Sequence, residues 1–300
     1  MTPPAPGLQT GPPPGPGFWL GRTCRIELDR PRLMGILNVT PDSFSDGGRF
    51  LSGAAALAQA RRLAAQGADL LDVGGESTRP GAPAVSEQEE LDRVLPVVEA
   101  LRREVPLPLS VDTSKSAVAR AAVAAGADFV NDVSGLTFDP AMAGVVARSG
   151  AGLVIMHTRG QPATMQADTR YRDLLGEVLA SLRASLAQAE AAGIAVERIV
   201  VDPGIGFGKD AAGNLELLRR LADFAVLGRP LLLGTSRKSF IGRVLGQDDP
   251  QQRAAGTLAT VALGVAAGAR LFRVHEVAAA REAALMAWAV CQGHNGVPED

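Results

Sequence analysis

From Arg32 onward the chain alternates short apolar runs with longer alanine-rich stretches. The apolar runs are Leu33–Val39, Leu70–Val73, Leu107–Val111, Phe129–Val133, Leu153–Met156, Ile199–Val201, Leu231–Leu233 and Leu271–Val274. Each is three to seven residues long and rich in Val, Ile or Leu, as expected of strands buried on both faces of a parallel sheet. The stretches between and after them predict helices over 53–66, 87–104, 114–125, 140–149, 172–192, 214–226, 251–267 and 276–291. Ser86-Glu87-Gln88-Glu89 reads as a capping box, and Asp139-Pro140 as an N-cap followed by a first-turn proline. Gly67, Gly126, Gly150, Gly193, Gly228 and Gly268 each follow a helical run, where a left-handed terminating residue is wanted. Eight strand-then-helix units with right-handed crossovers predict a single (β/α)8 barrel of the α/β class. An open doubly wound sheet fits less well, because no G-x-G-x-x-G follows the first strand.

Residues 1–17 depart from this pattern. They hold seven prolines and four glycines, so they can neither bury apolar area nor form a hydrogen-bonded ladder, and a disordered extension is expected. They also lack the basic and apolar regions of a secretory signal. Phe18–Leu20 and Arg25–Leu28 flank Gly21-Arg22 and suggest a short hairpin, so the barrel domain is expected over 18–295. Lys and Arg number 30 against 32 Asp and Glu, with no block of one sign, which argues against a nucleic-acid partner. No apolar stretch is long enough to predict a membrane span. The two cysteines, Cys24 and Cys291, and three histidines suit neither a disulfide framework nor a zinc site.

The chemistry of a (β/α)8 barrel lies at the C-terminal ends of its strands. Here those ends carry Asn38, Asp72, Asp112, Asn131-Asp132, His157, Asp202, Gly234-Thr-Ser-Arg-Lys238, Arg273 and His275. A single such residue is usually a turn or cap. Seven or eight gathered on one rim point to a site, because polar groups are costly to bury without partners. Asp112, Asn131, Asp202 and Lys238 offer acceptors and donors for a flat, nitrogen-rich heterocycle. Arg79, Arg273 and His275 suit an anion such as a phosphate. Asn38 offers a neutral oxygen to a hydrated Mg²⁺ beside a phosphorylated substrate. Two loops rich in small residues, 39–50 and 74–84, follow the first two strands and are candidate lids.

Several strings then resemble the dihydropteroate synthase family. They are Asn38-Val-Thr-Pro-Asp-Ser-Phe-Ser-Asp-Gly-Gly48, Asp72-Val-Gly-Gly-Glu-Ser-Thr-Arg-Pro-Gly81, Ser110-Val-Asp-Thr-Ser-Lys115 and Val130-Asn-Asp-Val-Ser-Gly135. Met156-His157, Asp202-Pro-Gly-Ile-Gly-Phe-Gly-Lys209, Gly234-Thr-Ser-Arg-Lys238 and Arg273-Val-His275 follow in the family's order. The resemblance implies a transferase of folate biosynthesis. The amine of p-aminobenzoate would displace pyrophosphate from 6-hydroxymethyl-7,8-dihydropterin pyrophosphate, giving 7,8-dihydropteroate, with the leaving group departing first. By the same resemblance, Asp112, Asn131, Asp202 and Lys238 bind the pterin, Met156 packs on its ring and Asp72 lies beneath it. Asn38 is the Mg²⁺ ligand, and Arg273 and His275, with Thr78 and Arg79, hold the pyrophosphate. Phe44, Pro80, Phe207, Lys238 and Ser239 frame p-aminobenzoate, a pocket that sulfonamides would share.

The departures are small: Thr158 stands after His157 where Met is common, and Glu276 after His275 where Asp is common. Pterin-binding methyltransferases share the barrel, but they do not need Ser236-Arg237-Lys238 or the full 38–48 loop. The seventh and eighth predicted helices are nearly apolar all round, which predicts a covering partner. A homodimer through them, typical of the family, is the expectation, in a cytoplasmic setting with no membrane or nucleic-acid partner.

Overall fold

The computed structural model describes residues 15–40, 49–79 and 81–293, with side chains omitted at 49–52. Eight parallel strands form the barrel: β3 (Arg32–Asn38), β4 (Leu70–Gly74), β5 (Leu109–Asp112), β6 (Phe129–Asp132), β7 (Gly152–Met156), β8 (Ile199–Asp202), β9 (Leu232–Leu233) and β10 (Leu271–Val274). Their order is β8-β7-β6-β5-β4-β3-β10-β9, and a single parallel bridge from Val201 to Leu231 completes the ring. The expected hairpin is present as antiparallel β1 (Phe18–Leu20) and β2 (Arg25–Glu27). Residues 1–14 of the proline-rich start lie outside the described residues, as does the 41–48 segment of the first loop.

The alternation of side chains along each strand separates two layers inside the barrel. At the N-terminal end the inward residues are apolar: Met34, Leu70, Phe129, Val154, Val200, Leu232 and Leu271 form one buried cluster with Trp19, Ile26 and Leu28 of the hairpin segment. The hairpin plugs this end. Trp19 is fully buried, stacks on Phe129 at 3.9 Å between ring centroids, and donates its indole N–H to the Arg198 carbonyl at 2.9 Å. Two residues further along in register, the inward positions turn polar: Asp72, Asp112, Asn131, Asp202 and Arg273. The outward residues between them, such as Leu71, Val73, Val111 and Val130, pack against the helices.

The helices are α1 (Arg49–Ala65), α2 (Glu87–Glu104), α3 (Ser116–Ala125), α4 (Met142–Ser149), α5 (Leu174–Ala191), α6 (Ala211–Arg219), α7 (Ser239–Leu245), α8 (Ala254–Ala266) and α9 (Val277–Gln292). Ser86 caps α2 as expected, accepting from the Glu89 N–H at 3.2 Å. All six helix-ending glycines have positive φ, from +60° at Gly228 to +122° at Gly126. Three expectations are corrected. Helix α4 starts at Met142, because Asp139 closes a turn onto Ala141 N–H and Ser116 N–H instead of capping a helix at Pro140. The stretch 214–226 is split, with α6 ending at Arg219 and a 3₁₀ segment following over Leu221–Leu227. Helix α7 was not expected; its seven residues are fewer than two helical turns, too few to display a period.

Candidate active site

Four residues from four strands meet in the polar layer. Arg273 Nε donates to Asp72 Oδ2 at 2.6 Å, and Arg273 Nη2 donates to Asp112 Oδ2 at 2.7 Å. Asn131 Nδ2 donates to the same Asp72 oxygen at 3.0 Å. Asp72 is fully buried and Asp112 nearly so. The second oxygen of each carboxyl, Oδ1, is buried with no partner in the protein. Such an atom is costly unless a ligand completes it. Burial pushes the Asp112 carboxyl up to about 7, against the pull of Arg273 and with the push of Asp72. At neutral pH Asp112 therefore stands near its own proton boundary and can accept from or donate to a heterocycle edge.

Arg273 differs from the simplest expectation. Its position at the end of β10 is as expected, but its guanidinium points inward onto two carboxylates, tying β10 to β4 and β5.

Asp202 lies across the mouth. Its Oδ1 accepts from Gly204 N–H at 2.7 Å, and burial raises its pKa while Lys238 holds it down. A methyl group built on Gly234 would stand 3.8 Å from both Asp202 Oδ2 and Arg273 Cβ, so these two residues face one another over a gap that glycine keeps open. Lys238, the residue before α7, donates to the Ile205 carbonyl and lies 4.4 Å above the Phe207 ring. Burial lowers the Lys238 ammonium to about 8, with Asp202 opposing. Phe207 and Met156 share a small apolar cluster with Val133 and Met165. The last two were not foreseen: Met165 lies in the aperiodic 157–173 segment, where nothing in the pattern marks it as buried.

Ser236 and His275 meet at the ends of β9 and β10. Ser236 Oγ lies 2.9 Å from His275 Nδ1 and accepts the His275 backbone N–H at 3.2 Å. Burial, then the positive charges of Arg273, Arg237, Arg79 and Lys238, lower His275 to about 3, so the ring is neutral. Arg237, at φ +60°, pairs with Glu276 at 2.6 Å, and Arg253 Nη1 holds its carbonyl at 3.0 Å. His275, Arg237 and Arg62 line a cavity of about 450 Å³ that reaches the first turn of α9.

Thr78 and Arg79 ride on the second loop, which is pinned at both ends. Arg93 Nη1 donates to the Gly75 carbonyl at 2.8 Å, and Glu76 accepts from Val85 N–H at 3.0 Å and from Lys115. Lys115 also donates to buried Glu90 at 2.5 Å. Beneath this loop Thr78, Asp112, Thr113, Lys115 and Val133 line a cavity of about 350 Å³. Ser239 opens α7 beside Lys238. Phe44 and Pro80 lie outside the described residues.

Asn38 ends β3. A methyl built on Gly74 would lie 3.7 Å from Asn38 Oδ1 and 3.7 Å from Asp112 Oδ2. The Asn38 amide oxygen is a neutral donor of the kind that suits a Mg²⁺ that keeps most of its waters and takes the rest of its shell from a phosphorylated substrate. Among the described residues no cluster of three His, Cys, Asp or Glu offers a protein-only metal cage. Two further rim residues are structural. Asp132 accepts from Ser134 and Leu136 N–H groups at 2.8 Å, and His157 Nδ1 lies 2.8 Å from buried Lys209 Nζ.

The family model for pterin binding enzymes matches residues 34–275, the whole of this mouth. The chain belongs to the pterin binding enzyme family. A curated relative from Synechocystis, a dihydropteroate synthase, is 50% identical over 89% of this chain and 92% of its own. The solved dihydropteroate synthase of Xanthomonas albilineans with 4-aminobenzoic acid is 49% identical with a TM-score of 0.84, covering 91% of this chain and 96% of that one. The same enzyme with 7,8-dihydropteroate gives 46% and 0.80, over 91% and 97%. The Yersinia pestis enzyme with a bound sulfonamide gives 45% and 0.86, over 91% and 98%.

Proposed function

We propose that the chain is a dihydropteroate synthase, joining p-aminobenzoate to 6-hydroxymethyl-7,8-dihydropterin pyrophosphate to give 7,8-dihydropteroate and pyrophosphate. The observation that carries this is the shared mouth. Arg273 bonds the buried Asp72 and Asp112 on one side and faces Asp202 across Gly234 on the other, so ring-edge and anion-binding groups reach one molecule. In the reaction the carbon–oxygen bond to pyrophosphate breaks first, the amine nitrogen then bonds to the pterin methylene carbon, and the nitrogen loses one proton.

No side chain need become a nucleophile. The open oxygens of Asp112 and Asp202, with Asn131, meet the N–H edge of the pterin. Lys238 donates to a ring acceptor, and Met156 and Phe207 pack on the ring face. Neutral His275, held by Ser236, donates to the departing pyrophosphate with Thr78, Arg79 and the outer face of Arg273. Charge that develops on a leaving group is best met by donors already in place. Holding amine and methylene carbon together supplies much of the rest. Asn38 would hold Mg²⁺, and the ion would neutralise charge on the pyrophosphate. Phe207, Lys238 and Ser239, with Phe44 and Pro80, would frame the arylamine, and a sulfonamide would compete there.

Leu263 on α8 and Met286 and Val290 on α9 are more than half exposed, which supports a homodimer through these two helices. Among the described residues no helix is long and apolar enough to cross a membrane, and we place the enzyme in the cytoplasm with its substrates. Incubation of purified protein with the pterin pyrophosphate, Mg²⁺ and p-aminobenzoate tests the activity. Pyrophosphate release that depends on p-aminobenzoate is expected; release without it, or none, overturns the reading.

A further inference from the structure

The segment from Asp202 to Lys209 coils around its own last residue. Gly204, Gly206 and Gly208 have φ of +69°, +84° and +63°, so every second residue lies in the left-handed region. Only glycine fits: a methyl on Gly204 would stand 1.7 Å from the His157 carbonyl oxygen, and one on Gly208 2.7 Å from Arg159 Cβ. The alternation turns backbone carbonyls inward. Lys209 Nζ donates to Gly204 O at 2.8 Å and to Phe207 O at 2.9 Å, and lies 2.8 Å from His157 Nδ1. Lys209 is 2% exposed and none of these partners is a carboxylate. All three bonds survive in either charge state, because an ammonium donates to Nδ1 and a free amine accepts from Nδ1–H. The His157 backbone N–H is tied to the Asp202 carbonyl at 3.0 Å, so β7 and β8 share the same knot.

What the knot holds is the seat of Lys238. Ile205 O accepts from Lys238 Nζ, and the Phe207 ring lies beneath it. Both belong to the stretch closed by Lys209. By contrast, Asp72, Asp112, Asn131 and Arg273 hold one another on four other strands, and Ser236 and His275 lie on separate loops. Loosening the knot therefore disturbs the Phe207–Lys238 wall, which the arylamine shares with the pterin ring, and leaves Asp72, Asp112, Asn131, Arg273, Ser236 and His275 in place.

We infer that Lys209, with His157, is a positioning residue for arylamine capture: its amine fills a cage of the chain's own carbonyls and so fixes the Phe207–Lys238 wall. This rests on the synthase reading above. The first test is Lys209→Met, which keeps the stem and removes the donors. KM for p-aminobenzoate is expected to rise about tenfold, the equivalent of one or two lost hydrogen bonds, while KM for the pterin pyrophosphate, which keeps Asp72, Asp112, Asn131, Arg273 and His275, rises by a smaller factor. A merely structural defect would lower the active fraction and leave both KM values alone. His157→Asn, a milder lesion, should move the same KM in the same direction by a smaller factor.

The second test is chemical rescue. Lys209→Ala leaves an empty cage, and methylammonium at tens of millimolar should restore at least part of the p-aminobenzoate KM, whereas tetramethylammonium, with no N–H, should not. Amide hydrogen exchange of residues 203–209 gives a readout without turnover, with faster exchange expected in Lys209→Met. Unchanged exchange together with equal effects on both KM values overturns the inference. Faster exchange in a chain whose wild type shows no synthase activity would instead overturn the synthase reading and keep the knot.

Discussion

Replacing Arg273 by Met puts the buried charge arrangement to the test. The guanidinium is the cation that touches both Asp72 and Asp112, at 2.6 and 2.7 Å, and its side chain is 19% exposed against 0% and 5% for theirs. Removing one partner from a buried pair costs about 3–5 kcal/mol, because the remaining charge is left without compensation. For a domain of this size that is a fall in Tm on the order of 10 °C. The loss should also depend on pH. Asp112 already has its carboxyl pushed up to about 7 with Arg273 present. A carboxyl raised in the folded state binds its proton more tightly there than in the unfolded chain, so its contribution to stability is fully present below the ordinary carboxylate range and is lost as pH rises toward 7. Without the arginine, which holds it down, the Asp112 carboxyl should shift further in this direction. The stability deficit of Arg273→Met, measured by urea unfolding, should then be largest near pH 7.5 and shrink by pH 5. A variant as stable as the parent at pH 7.5, or with an equal deficit at both values, would refute the reasoning.

Lys238 is depressed to about 8, so the ammonium is the form lost as pH rises through that value; affinity for a pterin, followed by calorimetry from pH 6 to 10, should fall above pH 8, and a flat profile would remove Lys238 from the pterin edge. A sulfonamide should raise the apparent KM for p-aminobenzoate without changing kcat, and a purely non-competitive pattern would count against the Phe207–Lys238–Ser239 wall. Leu263→Glu with Met286→Glu, both at sites about 65% exposed, should convert a dimer to a monomer in sedimentation velocity, with unchanged sedimentation ruling out this face.

The barrel was legible because its signals are local. Apolar runs of strand length, capping residues and helix-ending glycines each depend on a few neighbours in sequence. The polar rim was legible for the same reason, since a residue at a strand end is placed by the strand alone. Other features needed distant partners. The inward turn of Arg273 depends on Asp72, 201 residues away, and Asp112, 161 away. Met165 is buried only because Met156, Val133 and Phe207 come to meet it. The Lys209 knot joins residues 52 apart through carbonyls that carry no side-chain signature. Helix α7 was missed because seven residues display no period.

The N-terminal hairpin has a consequence for assembly. Trp19 belongs to β1, yet its ring rests on Phe129 and its indole bond reaches residue 198. A nascent chain therefore carries a bare tryptophan until two-thirds of the sequence has been synthesised, and the stopper is seated only after the vessel around it exists. Contacts so far apart in sequence form late, so this end of the molecule is the one most in need of protection while it is being made.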